Sequence, residues 1–587
     1  MEDRLPVRSR KASRNHTRRG GSVLLLVLIV VAMLTLGTAS YLELMQNERR
    51  AVRYHGRAVQ AQRLAESGVE YAKTLLALTP EELLQQGGVL NNPTSMQAIV
   101  VDDEGDEFDR GRFSILSPAQ ADGVYSGYRF GLENESGKLN VNALLAPGAD
   151  GEASNRLLAL PGMTPEIADA ILDWLDADEA PRTAGAEAET YSQLSPAYEP
   201  RNGPIADLDE LLLVRGVTPE LLYGVDQNRN LLVDATETPR GLLLDIDNSD
   251  GRLNRGWAAY LTTNSVEAMQ GAAAAASGAS TTAGATTIDL NGQNLQQLYD
   301  NLKGTIGDDK AKYLIVFRQY GPYQDPQAAE ANVPGLPAGA VGQGLIGPSG
   351  SNNNQSNGQE NQNGQPGQGV GGGQPGGGNQ PTPVEINASA IQLKFEQQGG
   401  TQLSSPLDLV GTRVQIPGEN DAPAQNVTSP WGEDASSYRE LLKLYDVAPP
   451  TGNAKRVAGR VNVNAATRVV LDSIPNLPPA AVGKIVSRRE LEPDMALSDQ
   501  RHALWLLVEG IVTIDEMRLL ERYVTTRGDV FSGQAVGFFD AGPSVARMEF
   551  IVDRSGTTPH VRLQRDLTPL GRGFSTLLLG VESSDTP

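Results

Sequence analysis

The chain has 587 residues, a net charge of −22, no cysteine and four histidines. Without cysteine there is no disulfide framework, thiolate metal site or cysteine nucleophile, and His16, His55, His502 and His560 are too scattered for a histidine zinc site. The length allows several cores, and so acidic a body repels nucleic acid and anionic lipid while attracting divalent cations.

The basic residues Arg4, Arg8, Arg10, Lys11, Arg14, Arg18 and Arg19 precede Gly20-Gly21, which opens directly onto an apolar run from Ser22 to Leu44 whose first charge is Glu43. A run of about 20 apolar residues spans the hydrocarbon core of a bilayer. The basic flank predicts a single pass with a cytoplasmic N-terminus and everything after Leu44 across the membrane. A secretory signal peptide is cut after its apolar stretch. Here the processing-like junction lies before it, at Gly21-Ser22 (Gly20 is the alternative), so the apolar helix stays in the mature chain.

The helical spacing of Val52, Val59, Leu64, Val69, Ala72, Leu75 and Leu76 predicts one helix over about 22–78, amphipathic in its second half. Strands are expected at Ala98–Val101, Arg112–Leu116 and Tyr125–Leu132, completing the first part of a body over 79–135. An internal repeat follows: the heptad Gly137-Lys138-Leu139-Asn140-Val141-Asn142-Ala143 is echoed by Gly459-Arg460-Val461-Asn462-Val463-Asn464-Ala465. Each copy leads into a helix–turn–helix pattern, through Leu160-Pro161-Gly162 and Ile474-Pro475-Asn476, with further helices near Leu208–Gly224 and Ala503–Tyr523. Two helical modules of one type are predicted, 136–265 and 459–526. Between them lie an insertion, 266–333, whose stretch Leu290–Arg318 looks ordered, and a connecting region, 384–458. The Gly/Asn/Gln/Pro tract 334–383 cannot bury enough apolar surface to fold and reads as a disordered linker. Alternating segments Val530–Phe539, Ala546–Val552 and His560–Arg565 predict antiparallel strands over 527–587.

Two oxygen-rich loops are candidate calcium ligands. Asp226, Asn228, Asn230, Asp234 and Glu237 hold positions 1, 3, 5, 9 and 12 of a twelve-residue loop, although its sixth position is Leu231 where an EF-hand has glycine. Asp245, Asp247, Asn248 and Asp250 form a second turn. Asp173, Asp176 and Asp178 are weaker candidates, expected to cap or pair locally. No nucleophile elbow, P-loop or zinc motif is present, so no catalytic residue is assigned and an enzyme is not expected.

Gly21 before the apolar helix, Ala65-Glu66-Ser67-Gly68-Val69-Glu70, the two heptads, Tyr260-Leu261-Thr262 and above all Asp173-Trp174-Leu175-Asp176-Ala177-Asp178 together resemble the protein K family, minor pseudopilins of type II secretion. The resemblance implies an α+β fold: a long N-terminal transmembrane helix and a pilin-like antiparallel sheet, with an inserted helical domain holding the two helix-hairpin-helix-like modules. It implies an inner-membrane protein with a periplasmic body, processed by a prepilin peptidase, that initiates or caps the pseudopilus at its tip with other minor pseudopilins and supports protein export. It also adds weight to calcium. Ordinary pilins carry Glu at the fifth mature position; here that position is Leu26, and its lack of charge is itself a feature of protein K. An alternative, a membrane-anchored helix-hairpin-helix DNA-binding protein of a DNA-uptake system, rests on the repeated modules. Against it, the first module is surrounded by Glu166, Asp169, Asp173 and Asp176 rather than by the lysines and arginines that phosphate needs.

Overall fold

The computed structural model describes residues 20–103, 109–146, 150–232, 254–268, 288–323, 383–418, 422–448, 456–495 and 497–581. The basic leader 1–19, Asp234, Glu237, the turn Asp245–Gly251, Ala272–Thr287 and nearly all of the tract 334–383 lie outside the described residues.

One helix runs from Gly20 to Leu76 with no proline to break it. Its apolar half is exposed on all sides from Val23 to Leu44, and it is the one helix among the described residues long and apolar enough to cross a membrane. Only the last turns are packed. Ala61, Leu64, Ala65, Val69, Ala72, Leu75 and Leu76 form a stripe at helical spacing, buried on one face of a sheet against Phe113, Ile115, Ala535, Met548, Phe550 and Val552. The helix lies so close that a Cβ on Gly537 would fall 2.1 Å from the Ala61 carbonyl oxygen. Only glycine admits that approach.

The sheet is antiparallel throughout, in the order Ile99–Asp102, Gly111–Ala121, Val530–Phe539, Val545–Asp553, His560–Asp566. Val124–Phe130 also pairs with Gly111–Ala121, and Glu133–Asn134 with Val530–Phe539. The body is therefore split in sequence. Ile115 faces Ala535 across a ladder whose two strands are separated by the whole helical region. Phe574 and Leu579, in the segment after the last strand, join Leu116, Val536 and Phe538 in a small second core.

The repeat is a structural one. Leu139-Asn140 pairs in parallel with Leu261-Thr262, and Val461-Asn462 with Val524-Thr525. The first asparagine of each heptad accepts the amide of the second, Asn142 or Asn464, at 3.0 Å. Each hairpin turns on one left-handed residue at the same place, Gly162 (φ +69°) and Asn476 (φ +62°). The helices that follow are Pro165–Leu175 and Pro479–Arg488. The two heptads also meet: Gly137 packs on Ala465, and Gly459 on Ala143.

Two expectations change, and one apolar run finds its element. Of the helices expected near Leu208–Gly224, the first is a 3-10 turn, Leu208–Leu213. The apolar run Tyr313–Phe317 belongs to a helix, Asp308–Tyr320, buried almost all round, so it lacks the one-sided pattern of a surface helix. Finally, Leu290–Arg318 and 383–448 are not separate pieces. Helices Leu295–Ile306, Asp308–Tyr320 and Ala435–Val447 and a three-stranded sheet share one core with the second module.

Candidate functional site

The helix Pro165–Leu175 begins with Thr164 capping the Ile167 amide and proline in its first turn, where no backbone donor is lost. Its buried face carries Trp174, whose ring centroid lies 5.2 Å from that of Tyr191 and whose Nε1 donates to Glu210 at 3.2 Å. One turn is thereby fixed, and with it Asp173.

Asp173 is fully buried and organises the loop that follows. Its carboxylate accepts the backbone amides of Arg182 at 3.2 Å and Ala186 at 2.8 Å, and pairs with the Arg182 guanidinium at 3.0 Å. A Cβ on Gly185 would lie 1.8 Å from the Asp173 Oδ2, so the chain can close over that carboxylate only at glycine. The local pairing expected of this aspartate is what the structure has.

This closure brings Glu187 back to the end of the helix. One oxygen each of Asp176, Asp178 and Glu187 lie within 4.8 Å of one another. Asp176 pairs with Arg182 through one oxygen, while its other oxygen is buried with no hydrogen-bond partner. Both oxygens of Glu187 are buried and unpartnered as well. Burial first, and then the charges of Asp173, Asp176 and Asp178, push the Glu187 carboxyl up to about 7. Burial likewise raises Asp176. Orphaned buried carboxylates are costly, and a cation among them would remove the cost. The donors are all oxygens, as hard cations prefer, and oxygens lying about 2.4 Å from a calcium ion are up to about 4.8 Å apart. The three carboxylates fit such an ion.

The loop at Asp226 is half described. Asp226 is buried and accepts the amides of Asn230 at 2.9 Å and Leu231 at 3.1 Å. Asn228 also accepts the Asn230 amide, at 2.9 Å. Leu231 adopts the left-handed conformation, φ +63°, that an EF-hand loop requires at its sixth position. The residue expected to spoil the turn thus makes it without glycine. The loop is tied to the sheet by Arg547, which donates to the carbonyls of Asn228 and Arg229, and by Asn230, which donates to the Gly573 carbonyl at 3.1 Å. The later ligands Asp234 and Glu237, and the turn containing Asp245, Asp247 and Asp250, fall outside the described residues.

Glu187 escaped the sequence reading although, counted from Asp176, Asp178 and Glu187 hold positions 3 and 12 of a twelve-residue loop, the spacing read at Asp226–Glu237. At the other end of the chain, Gly21 and Ser22 fall in the first turn of the stem helix, and Leu26 is 62% exposed on it.

A long helix laid on an antiparallel sheet whose strands are split by helical modules is a pilin-like body carrying an inserted head. Residues 137–226 match the family described as "Type II secretion system (T2SS), protein K", in agreement with the resemblance read from the motifs. It is 32% identical over 209 residues to type II secretion system protein K of Pseudomonas aeruginosa, a match covering 34% of this chain and 58% of that one. It is 28% identical over 223 residues to the protein K of Klebsiella pneumoniae, covering 35% and 60%. The chain thus spans about three-fifths of the length of these relatives. A looser likeness, TM-score 0.34 and 10% identity over 88% of this chain and 99% of the other, is to the GspK-GspI-GspJ complex from the enterotoxigenic Escherichia coli type 2 secretion system. None of these relatives is a DNA-uptake protein, and the DNA-binding alternative gains no support.

Proposed function

We propose that this chain is a minor pseudopilin of a type II secretion system, held in the inner membrane by its stem helix, with a non-enzymatic head that starts or caps the pseudopilus at its tip. The observation that carries the reading is a protein K domain, 137–226, inserted between the strands of a helix-on-sheet body. The mechanism is packing. The exposed apolar half of the stem, Val23–Leu44, has no partner within the described residues and suits helices of other minor pseudopilins or lipid. An uncharged Leu26 spares the span a carboxylate in hydrocarbon, which a terminal subunit with nothing stacked above it has no use for. Cleavage by a prepilin peptidase after Gly21 exposes Ser22. The test is the N-terminus of the mature chain after co-expression with such a peptidase: Ser22 in the unmodified chain and Met1 in Gly21→Val are expected. An intact Met1 in the unmodified chain would defeat the reading.

Calcium is the cation proposed for the head. Asp176, Asp178 and Glu187 would hold it, with Asp173 and Arg182 fixing the loop, and Asp226, Asn228 and Asn230 would start a second site. When bound, the ion supplies charge neutralisation and cross-links the loop. Titration calorimetry with calcium on the full chain, against Glu187→Gln, tests the first site: the variant is expected to lose at least one binding event.

A further inference from the structure

The stretch just past the apolar span runs against the acidity of the whole. Arg49, Arg50, Arg53 and Arg57 fall within ten residues on a continuous helix. At 3.6 residues per turn they occupy an arc of about 100° on one side of it. Arg57 is already engaged, paired with Asp109 and stacked over Phe539 at 4.5 Å. Arg49, Arg50 and Arg53 are exposed and make no ion pair among the described residues. They stand about 7 to 14 Å beyond Leu44 along the helix axis, at 1.5 Å per residue. The interfacial layer is about 5 to 8 Å thick on each side of the bilayer, and arginine stems are long enough to reach back into it. In the body, Asp109 pairs with Arg57 of the stem, while Asp103 and Asp540 pair with Arg110 and Arg112.

We infer that Arg49, Arg50 and Arg53 form a collar for anionic phospholipid headgroups at the membrane surface from which the body emerges. This rests on the stem helix spanning the membrane. The collar counters, at one height on the stem, the repulsion between an acidic body and an anionic surface. It thereby sets how far the head stands from the bilayer. Lipid is favoured over an acidic protein partner by position: the arginines lie within a side chain's reach of the headgroup layer, below the first stem residue buried in the body, Ala61.

The test uses the full chain reconstituted in phosphatidylcholine vesicles containing phosphatidylglycerol as a minor component. Native mass spectrometry then reads the lipids retained on gentle release. The unmodified chain is expected to retain phosphatidylglycerol above its bulk share, by about fivefold for each arginine engaged, and less so at high salt. R49Q/R50Q/R53Q is expected to lose the enrichment, and R49K/R50K/R53K to keep most of it, because surface attraction needs charge rather than a guanidinium fork. The leader's basic residues are common to all three and cancel. Enrichment unchanged in the glutamine variant would overturn the collar. If the unmodified chain is stripped from vesicles by alkaline carbonate, the spanning stem falls and the collar with it. Resistance to carbonate with no enrichment would overturn the collar alone.

Discussion

At Glu187 the chain holds a carboxylate in conditions that suit neither of its protonation states alone. Burial and three neighbouring aspartates raise it from 4.5 to about 7. The folded state then keeps a proton between those values that the unfolded chain has released. By linkage, stability declines as pH rises from about 4.5 to about 7 and stays reduced above that. In metal-free protein, melting temperature followed across that window is expected to fall, and Glu187→Gln is expected to flatten the curve. Calcium, competing with the proton, is expected to raise stability most at pH 7 and above, where the carboxylate is free to ligate. An equal calcium effect at pH 5 and pH 8 would argue against ligation by Glu187. Asp173 behaves differently. Its partners are two backbone amides and Arg182, so Asp173→Asn is expected to destabilise the head by about 3 kcal/mol, as loss of one partner of a buried pair does, measured by chemical denaturation.

Between elements, the tightest constraints sit where the two heptads cross. Gly459 has φ +82°, and a Cβ there would fall 2.2 Å from the Ala143 Cβ. Gly459→Ala therefore meets both a left-handed backbone and an occupied space, and is expected to cost about 2–4 kcal/mol in denaturant unfolding. Gly483, inside the helix Pro479–Arg488, has open space around it, and Gly483→Ala is expected to stabilise by up to about 1 kcal/mol. A second junction ties the second module to the body: the Glu492 carboxylate accepts the amides of Val89 at 2.8 Å and Leu90 at 2.9 Å. Glu492→Ala is expected to speed hydrogen exchange at these two amides by at least tenfold while leaving the helix Pro165–Leu175 unchanged. The elements themselves were largely legible. The strand Val530–Phe539 was placed to the residue; it is buried on both faces, and a short, largely apolar run of that kind reads as a central strand. The heptads announced two copies of one fold. What could not be read was convergence: Glu492 meets Val89 across 403 positions. That contact leaves no local pattern, whereas Glu187 stands at the twelfth position counted from Asp176 and was legible there. Leu231 in a glycine's conformation was hidden for a different reason, since its backbone is dictated by amides bonded to Asp226 and not by its own side chain.

Over the whole molecule, the sheet's two halves lie several hundred residues apart in sequence, with Val536 opposite Ser114. Such long-range pairing closes late. The modules between are therefore expected to protect their amides from exchange earlier in refolding than the ladder joining Gly111–Ala121 to Val530–Phe539, an order that pulsed hydrogen exchange reads directly. The crossing of the heptads bears on how the molecule relates to its own kind. Gly137 on Ala465 and Gly459 on Ala143 is the reciprocity of a two-fold dimer interface, in which each half offers the patch that the other receives. Here both halves belong to one polypeptide, so the match is satisfied internally whatever the concentration of protein. A lone module would carry an open socket and an unclaimed plug; the joined pair carries neither, and the head closes upon itself as a dimer of one.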